Sequence, residues 1–442
     1  MTYNRRQVLQ GATLAAAGLS TGFAAPALKN VRVGFVGTGL RGTSLMRSLL
    51  RLEGVKIHAV CDTVEAKAAR AQDLVVKAGQ PKPEAYTRGE TDWQRLCDRG
   101  DLDVVINATP WQWHAPISVA AMKAGKHAVT EVPAAQTVEE CWELVETAEK
   151  TGRHCAILEN DCYYRVVLMV LNMIRDGLLG EPLYGEAGYM HDIRAVKFGA
   201  VPNGGEPWRI EHSKGRDGNL YPTHPLGPLA WWFDINRGDA FSYLVSMSSK
   251  ARSIKEFAAR TFGANDPRAK TDYRLGDVNV TLIHTEMGRT LTLYHDTNTP
   301  RPKEHMVRIQ GSRGVFNVTM DKIFVDGRSS AGGSRENWRA RHEWEDPAPY
   351  RERYDHKLWR DQEARAKDAG HGGVDWMELY RLIRNLQEGK PLDIDVYDAA
   401  AWSVIVPLSE ASVAGRSKPM DIPDFTRGKW RKRAPIDPDA IV

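Results

Sequence analysis

Gly37, Gly39 and Gly42 stand at G-x-G-x-x-G spacing. An apolar run, Val31 to Val36, precedes them, and a helical pattern with Leu40, Leu45, Leu49 and Leu52 on one side follows. A second apolar run, Val55 to Cys61, ends in Asp62. The first glycine of such a pattern makes a tight turn, the second lets the backbone approach a pyrophosphate, and the third lets helix and strand pack closely. The pyrophosphate then rests on the free N–H groups at the helix start. An acid about 20 residues on accepts hydrogen bonds from the adenosine ribose, and Asp62 is placed for it. Dinucleotide binding is predicted. Asp62 also selects NAD over NADP, because a 2′-phosphate beside it is a costly like-charge contact and no arginine immediately follows.

The elements around these residues alternate. Strand patterns at Asp103–Ala108, Ala128–Thr130 and Cys155–Leu158 are separated by helical patterns at Pro116–Ala124 and Thr137–Lys150. Alternation of this kind predicts a doubly wound parallel sheet, a Rossmann domain over residues 28–160, with the loops after its strands at one ligand-binding edge. After a helix at Arg165–Gly177 the texture changes. Strand patterns follow at Leu183–His191, Ala240–Ser248, Val278–His284, Thr290–His295, Met306–Gln310 and Val315–Met320. Consecutive strands with few helices between them predict an α+β domain over residues 161–442 with an open, mostly antiparallel sheet. Asn203–Gly218 reads as a glycine-rich loop at the site, and Ser329–Gln362 has no clear pattern. Helices at Asp375–Gln387 and Asp398–Ala414 close back on the fold. Glu139 and Glu140 fall at a helix start, where acids complement the dipole.

The chain has 442 residues and a formal net charge of +4, a length suited to two or three domains and a charge too small to argue for nucleic acid. Arg5-Arg6, an apolar run from Gly11 to Ala25, and the A-x-A-like Ala25-Pro26-Ala27 predict a twin-arginine signal peptide over residues 1–27. That run is too short for a membrane span, and no membrane association is expected. The mature protein is expected to be periplasmic or secreted. Export by this route carries folded proteins, so NAD is expected to leave already held, tightly bound and recycled. The five cysteines have no metal-type spacing. Cys61, Cys141 and Cys155 read as buried small hydrophobes, and neither a disulfide framework nor a metal site is expected.

The first domain with its following sheet resembles the Gfo/Idh/MocA oxidoreductase superfamily. In that superfamily the loop after the fifth strand usually carries E-K-P, its lysine serving as acid/base for a sugar hydroxyl. Here it reads Glu131-Val132-Pro133, and valine carries no proton. Further motifs resemble glycoside hydrolase family 109, the NAD-dependent α-N-acetylgalactosaminidases. They are Trp111-Gln112-Trp113-His114, Glu159-Asn160 with Cys162-Tyr163, Tyr189-Met190-His191-Asp192, Trp208-Arg209, Tyr221-Pro222-Thr223-His224, His295-Asp296-Thr297 and Gly370-His371-Gly372-Gly373. The resemblance implies that Leu40, Arg41, Asp62, Trp111, Gln112, Trp113, His114, Glu131, Val132 and Asn160 contact NAD. It implies that Tyr189, Arg209, Tyr221, Pro222, Thr223 and His224 line the sugar site. One position departs: after Arg301-Pro302 the family usually has tyrosine, and this chain has Lys303.

The reaction implied by the resemblance is hydrolysis of terminal, α-linked N-acetylgalactosamine by redox-assisted elimination. Hydride leaves C3 for NAD, the ketone acidifies the C2 proton, and its removal expels the group at C1. Water then adds, and the hydride returns to C3. His224 is the expected general base, since imidazole titrates near neutral pH. Tyr221 shares or takes over a proton transfer, Tyr163 and Tyr189 donate hydrogen bonds, and Arg209 clamps a hydroxyl or the acetamido carbonyl. In isolation, YPTH reads as a turn and the WQWH tryptophans as core packing. His371 reads equally as a structural histidine and is left outside the site. The alternatives are a periplasmic NAD(P)-dependent sugar oxidoreductase and a non-catalytic sugar sensor. A homodimer through the open sheet is expected.

Overall fold

The computed structural model describes residues 26–200, 207–329 and 343–436. The signal-peptide segment, except its last residues, lies outside them, as do parts of the two stretches around 203–218 and 329–362. Six parallel strands form the first sheet: β1 (Val31–Val36), β2 (Val55–Cys61), β3 (Glu84–Tyr86), β4 (Val104–Asn107), β5 (His127–Thr130) and β6 (Cys155–Ile157). Their order, β3-β2-β1-β4-β5-β6, reverses between β1 and β4, the switch point where a doubly wound sheet opens a crevice. β1 is covered on both faces, so Val31, Val33 and Phe35 on one and Gly34 and Val36 on the other are buried, and the strand reads as a nearly continuous apolar run.

The glycines behave as their spacing requires. Gly37 turns with φ +83°, and a Cβ on Gly42 would fall 1.9 Å from the Gly37 carbonyl oxygen. The helix Leu40–Leu49 buries Leu45 and Leu49, but Leu40 is 60% exposed rather than part of the apolar stripe. It belongs to the first turn, facing the crevice.

The second sheet has eight strands: β7 (Pro182–Met190), β8 (Phe241–Ser248), β9 (Asn279–Thr285), β10 (Thr290–Asp296), β11 (Arg308–Gly311), β12 (Gly314–Asn317), β13 (Lys322–Val325) and β14 (Met420–Asp421). All neighbours pair antiparallel except β7 with β10. The helices Thr223–Trp232 and Ile405–Ala414 pack on one face. Gly185 of β7 lets Leu229 and Phe233 come close, since a Cβ there would meet each at 2.9 Å. The C-terminal helix Val374–Glu388 packs on Leu40–Leu49, and Val396–Ser403 packs on Val138–Thr151 and β6. The chain therefore ends by returning to its first domain.

Several expectations are corrected. The expected loop at Asn203–Gly218 contains a helix, Trp208–Gly215. The single helix expected at Asp398–Ala414 is two, Val396–Ser403 and Ile405–Ala414. Pro407 has no N–H for the Ser403 carbonyl, which breaks the ladder there. Asp395 caps the first of the two with a capping box to Asp398. Thr137 and Glu140 make the same device at the helix start where Glu139 and Glu140 were placed. Helices at Glu65–Lys77, Ser253–Phe262, Ala348–Tyr354 and Lys357–Ala366 were not anticipated.

Candidate active site

The crevice at the strand ends is a cleft of about 370 Å³ bordered by Gly37, Gly39, Leu40, Arg41 and Asp62 at one end and by Trp111, Trp113, Glu131 and Val132 at the other. Gln112 and His114 border it too. Each residue follows a strand: Gly37 ends β1, Asp62 β2, Trp111 β4 and Glu131 β5. A Cβ added to Gly39 would meet nothing within 4 Å, so backbone and open space face each other where a pyrophosphate would lie. No side chain caps the helix that starts there, leaving its first N–H groups for a ligand. Asp62 is held by Thr38, whose N–H and hydroxyl donate to Oδ2 at 2.8 and 3.1 Å, and by the Val64 N–H on Oδ1 at 2.9 Å. These features fit NAD.

Three expected cofactor contacts are placed differently. Arg41 borders the cleft but is already committed, donating to Glu131 Oε1 and Asp375 Oδ2 at 2.6 Å each. Asn160 is buried off the cleft and donates its amide to Asp375 Oδ1 at 2.9 Å. The ring nitrogens of buried His114 face the carbonyls of Pro133 (2.7 Å) and Thr109 (2.8 Å), so this ring ties together the loops after β4 and β5.

The sugar-site residues do gather. Tyr221 stacks on Trp111 with centroids 5.6 Å apart, lies 4.8 Å from Tyr189 and 4.9 Å from His224. Tyr189 in turn is 5.5 Å from His224. Arg209 sits over the Trp208 ring at 4.1 Å and lines the same wall. YPTH is not a mere turn: Pro222 precedes, and Thr223 and His224 begin, the helix that runs to Trp232. Pro222 and Thr223 are buried, Thr223 fully, so they position the tetrapeptide rather than face the cavity.

Sequence reasoning placed Glu159 in a family motif but did not pair it with His224. Its Nδ1 is 2.6 Å from Oε1 of Glu159, a fully buried carboxylate just after β6. Burial alone would lower the imidazole, but Glu159 and Asp161 outweigh it and push it up to about 9. His224 is thus not the near-neutral base that an ordinary histidine would be. Asp161 pairs with His305 Nδ1 at 2.9 Å. Single ligand atoms of Glu159, Asp161 and His224 lie within 4.8 Å of one another, and these pairings already occupy all three.

Tyr163 is a correction. Its hydroxyl donates to Asp393 Oδ2 at 3.1 Å inside the core, and its ring packs edge-on against Trp231 at 5.3 Å. It does not border the cleft. The neighbouring Tyr164 instead lies beside His305, ring centroids 6.1 Å apart. His371 comes closer to the cleft than its sequence setting suggests. It adopts φ +50° between glycines, lies 3.0 Å from Asp375 and stands 3.3 Å from Arg41 Nη1. The glycines that flank it were the available signal. Burial lowers His191, with Lys303 adding to it, and against burial His224 and His305 hold Asp161 down, with a small part from Lys303.

Fold and cleft together define a nicotinamide-dinucleotide enzyme of the Gfo/Idh/MocA type, and the NAD-binding Rossmann model of that oxidoreductase family matches residues 31–158. The model of the glycosyl hydrolase 109 C-terminal domain matches residues 163–432. A glycosyl hydrolase family 109 protein of Solibacter usitatus (strain Ellin6076) is 47% identical over 409 residues, covering 92% of this chain and 90% of its own. One from Shewanella sp. (strain ANA-3) is 45% identical, covering 94% and 89%. The chain belongs to glycosyl hydrolase family 109. Among solved structures, levoglucosan dehydrogenase with NADH and L-sorbose shares the fold, at a TM-score of 0.66 and 22% identity over 90% of this chain and all of that one. No helix among the described residues is long and apolar enough to cross a membrane.

Proposed function

We propose that the protein hydrolyses terminal α-linked N-acetylgalactosamine, with NAD held in the cleft as a tightly bound, recycled group. The observation that carries this reading is the buried His224–Glu159 pair beside a dinucleotide cleft whose Glu131-Val132-Pro133 loop offers no ammonium acid/base. When bound, NAD would supply a reversible hydride acceptor for C3 of the sugar. Gly37, Gly39, Asp62, Trp111 and Val132 border the space that would hold it.

The chain's own residues do the rest. Glu159 occupies Nδ1 of His224 and leaves Nε2 as the nitrogen that exchanges a proton with the sugar. At neutral pH the pair holds a proton, so His224 donates readily and acts as base through its minor neutral form. Burial raises Tyr189 to about 12 and Tyr221 well above the ordinary phenol range, which keeps both as hydrogen-bond donors. Arg209 orients a hydroxyl or the acetamido carbonyl. Elimination across C1–C2 predicts exchange of the C2 hydrogen. In heavy water, the released sugar should carry deuterium at C2, read by NMR. Protium retained there through complete hydrolysis would overturn the elimination.

We further propose twin-arginine export, supported by Arg5-Arg6 and Ala25-Pro26-Ala27, and a homodimer through the uncovered face of the second sheet. That face carries the exposed Tyr243, Met247 and Leu282.

A further inference from the structure

Beside the dinucleotide cleft lies a second cavity of about 160 Å³, which shares Trp111, Arg209 and Tyr221 with it. Lys197 and Arg209 are its basic residues, and among the described residues no Asp or Glu contributes to its wall. Lys197 is 3% exposed, and its Nζ donates to Thr297 Oγ1 at 2.8 Å and Asn298 Oδ1 at 2.7 Å, both uncharged. Among the described residues, neither Lys197 nor Arg209 forms an ion pair, and Arg209 rests on tryptophan instead. The carboxylates that act on Lys197 have other partners: Asp296 takes the Thr299 hydroxyl and Arg301, Asp277 accepts from the Arg252 and Ser253 N–H groups, and Asp192 pairs with Arg194. Two further buried polar atoms on the cavity wall, His295 Nδ1 and Ser213 Oγ, have no partner among the described residues.

A buried ammonium with only neutral acceptors costs free energy unless an anion joins it. Burial, aided by Arg209, pushes Lys197 down to about 7, which expresses the same imbalance. We propose that this cavity receives an oxyanion substituent, a carboxylate or a sulfate ester, carried by the sugar in the cleft and held by Lys197 and Arg209. Ser213 and His295 complete its hydrogen bonds. The inference rests on the reading of this region as a sugar site.

The test is intrinsic tryptophan fluorescence, since Trp111 lines the cavity and Trp208 packs on it. D-galacturonate is titrated against D-galactose, and N-acetylgalactosamine 6-sulfate against N-acetylgalactosamine, at one fixed ionic strength. At least one acidic sugar should bind about tenfold tighter than its neutral partner, as charge-assisted hydrogen bonds do, and the arm that responds names the oxyanion. Lys197→Met should bring the ratio near one, with neutral-sugar binding by the same variant showing that it is folded. Equal binding within both pairs in the wild-type protein overturns the proposal, whatever the variant does. Parallel release of nitrophenol from nitrophenyl α-N-acetylgalactosaminide separates the two readings. Release without acid preference leaves the glycosidase and removes the anion site; acid preference without release does the reverse. Failure of all four sugars to bind removes both.

Discussion

His224 and Glu159 set the proton chemistry of the site, and their effect is open to direct measurement. Replacing His224 with alanine should lower kcat/KM by roughly 10²–10⁴, the usual worth of a general acid/base. Because the His224 pKa is raised to about 9, the rate that depends on its neutral form should climb with pH towards 9. Glu159→Gln removes the largest opposition to burial and leaves Asp161, so that limb should move to lower pH; a limb that stays in place would detach Glu159 from His224. The same shift is linked to stability. The folded value exceeds histidine's ordinary 6.5, so the pair's contribution is fully present below about pH 6.5 and lost as pH rises through about 9. The Tm gap between wild type and Glu159→Gln should close across that window. Two tyrosines give a contrast. Tyr163→Phe loses one core hydrogen bond, worth about 1 kcal/mol, and should keep its kcat, whereas Tyr221→Phe should not. At this scale the sequence was legible where function is contiguous, as in the glycines and Asp62. It was silent where a pair forms across the fold: His224 and Glu159 are 65 residues apart, and nothing in either neighbourhood announces the other.

The helix Leu40–Leu49 and its glycine turn carry the cofactor argument. Gly42→Ala would drive a Cβ to 1.9 Å from the Gly37 carbonyl oxygen, a backbone atom that cannot rotate away. Helix and strand must then separate, and both Tm and NAD retention should fall; a variant that purifies with a full complement of NAD would contradict the packing role. The first domain's strands were legible almost to the residue, since buried parallel strands are short β-branched runs bounded by turns. Elements at the margins were not. β3 and β14 are edge strands of three and two residues, too short for any period to show. Trp208–Gly215 was obscured by the glycines just before it, and its polar side chains hid the helix that carries Arg209.

For the whole molecule, the closing helices bind the second domain back to the first, and Asp375 pairs with Arg41 at 2.6 Å across 334 residues of chain. A residue at the cleft is therefore held in place by the C-terminal part of the chain. The opposite face of the second sheet keeps Tyr243, Met247 and Leu282 exposed, an apolar surface of the kind that marks an interface. Gel filtration with light scattering should give twice the chain mass, and Met247→Glu with Leu282→Glu should give a monomer. A wild-type monomer would reject the dimer.

The central claim is that hydrolysis uses a cofactor the protein never releases. The protein as purified, with no NAD added, is offered nitrophenyl α-N-acetylgalactosaminide while nitrophenol and the near-ultraviolet absorbance of bound NADH are followed together. Nitrophenol released over many turnovers with no net gain in NADH is the predicted result. A lasting rise in NADH without nitrophenol would show that the chain oxidises sugars and does not cleave them.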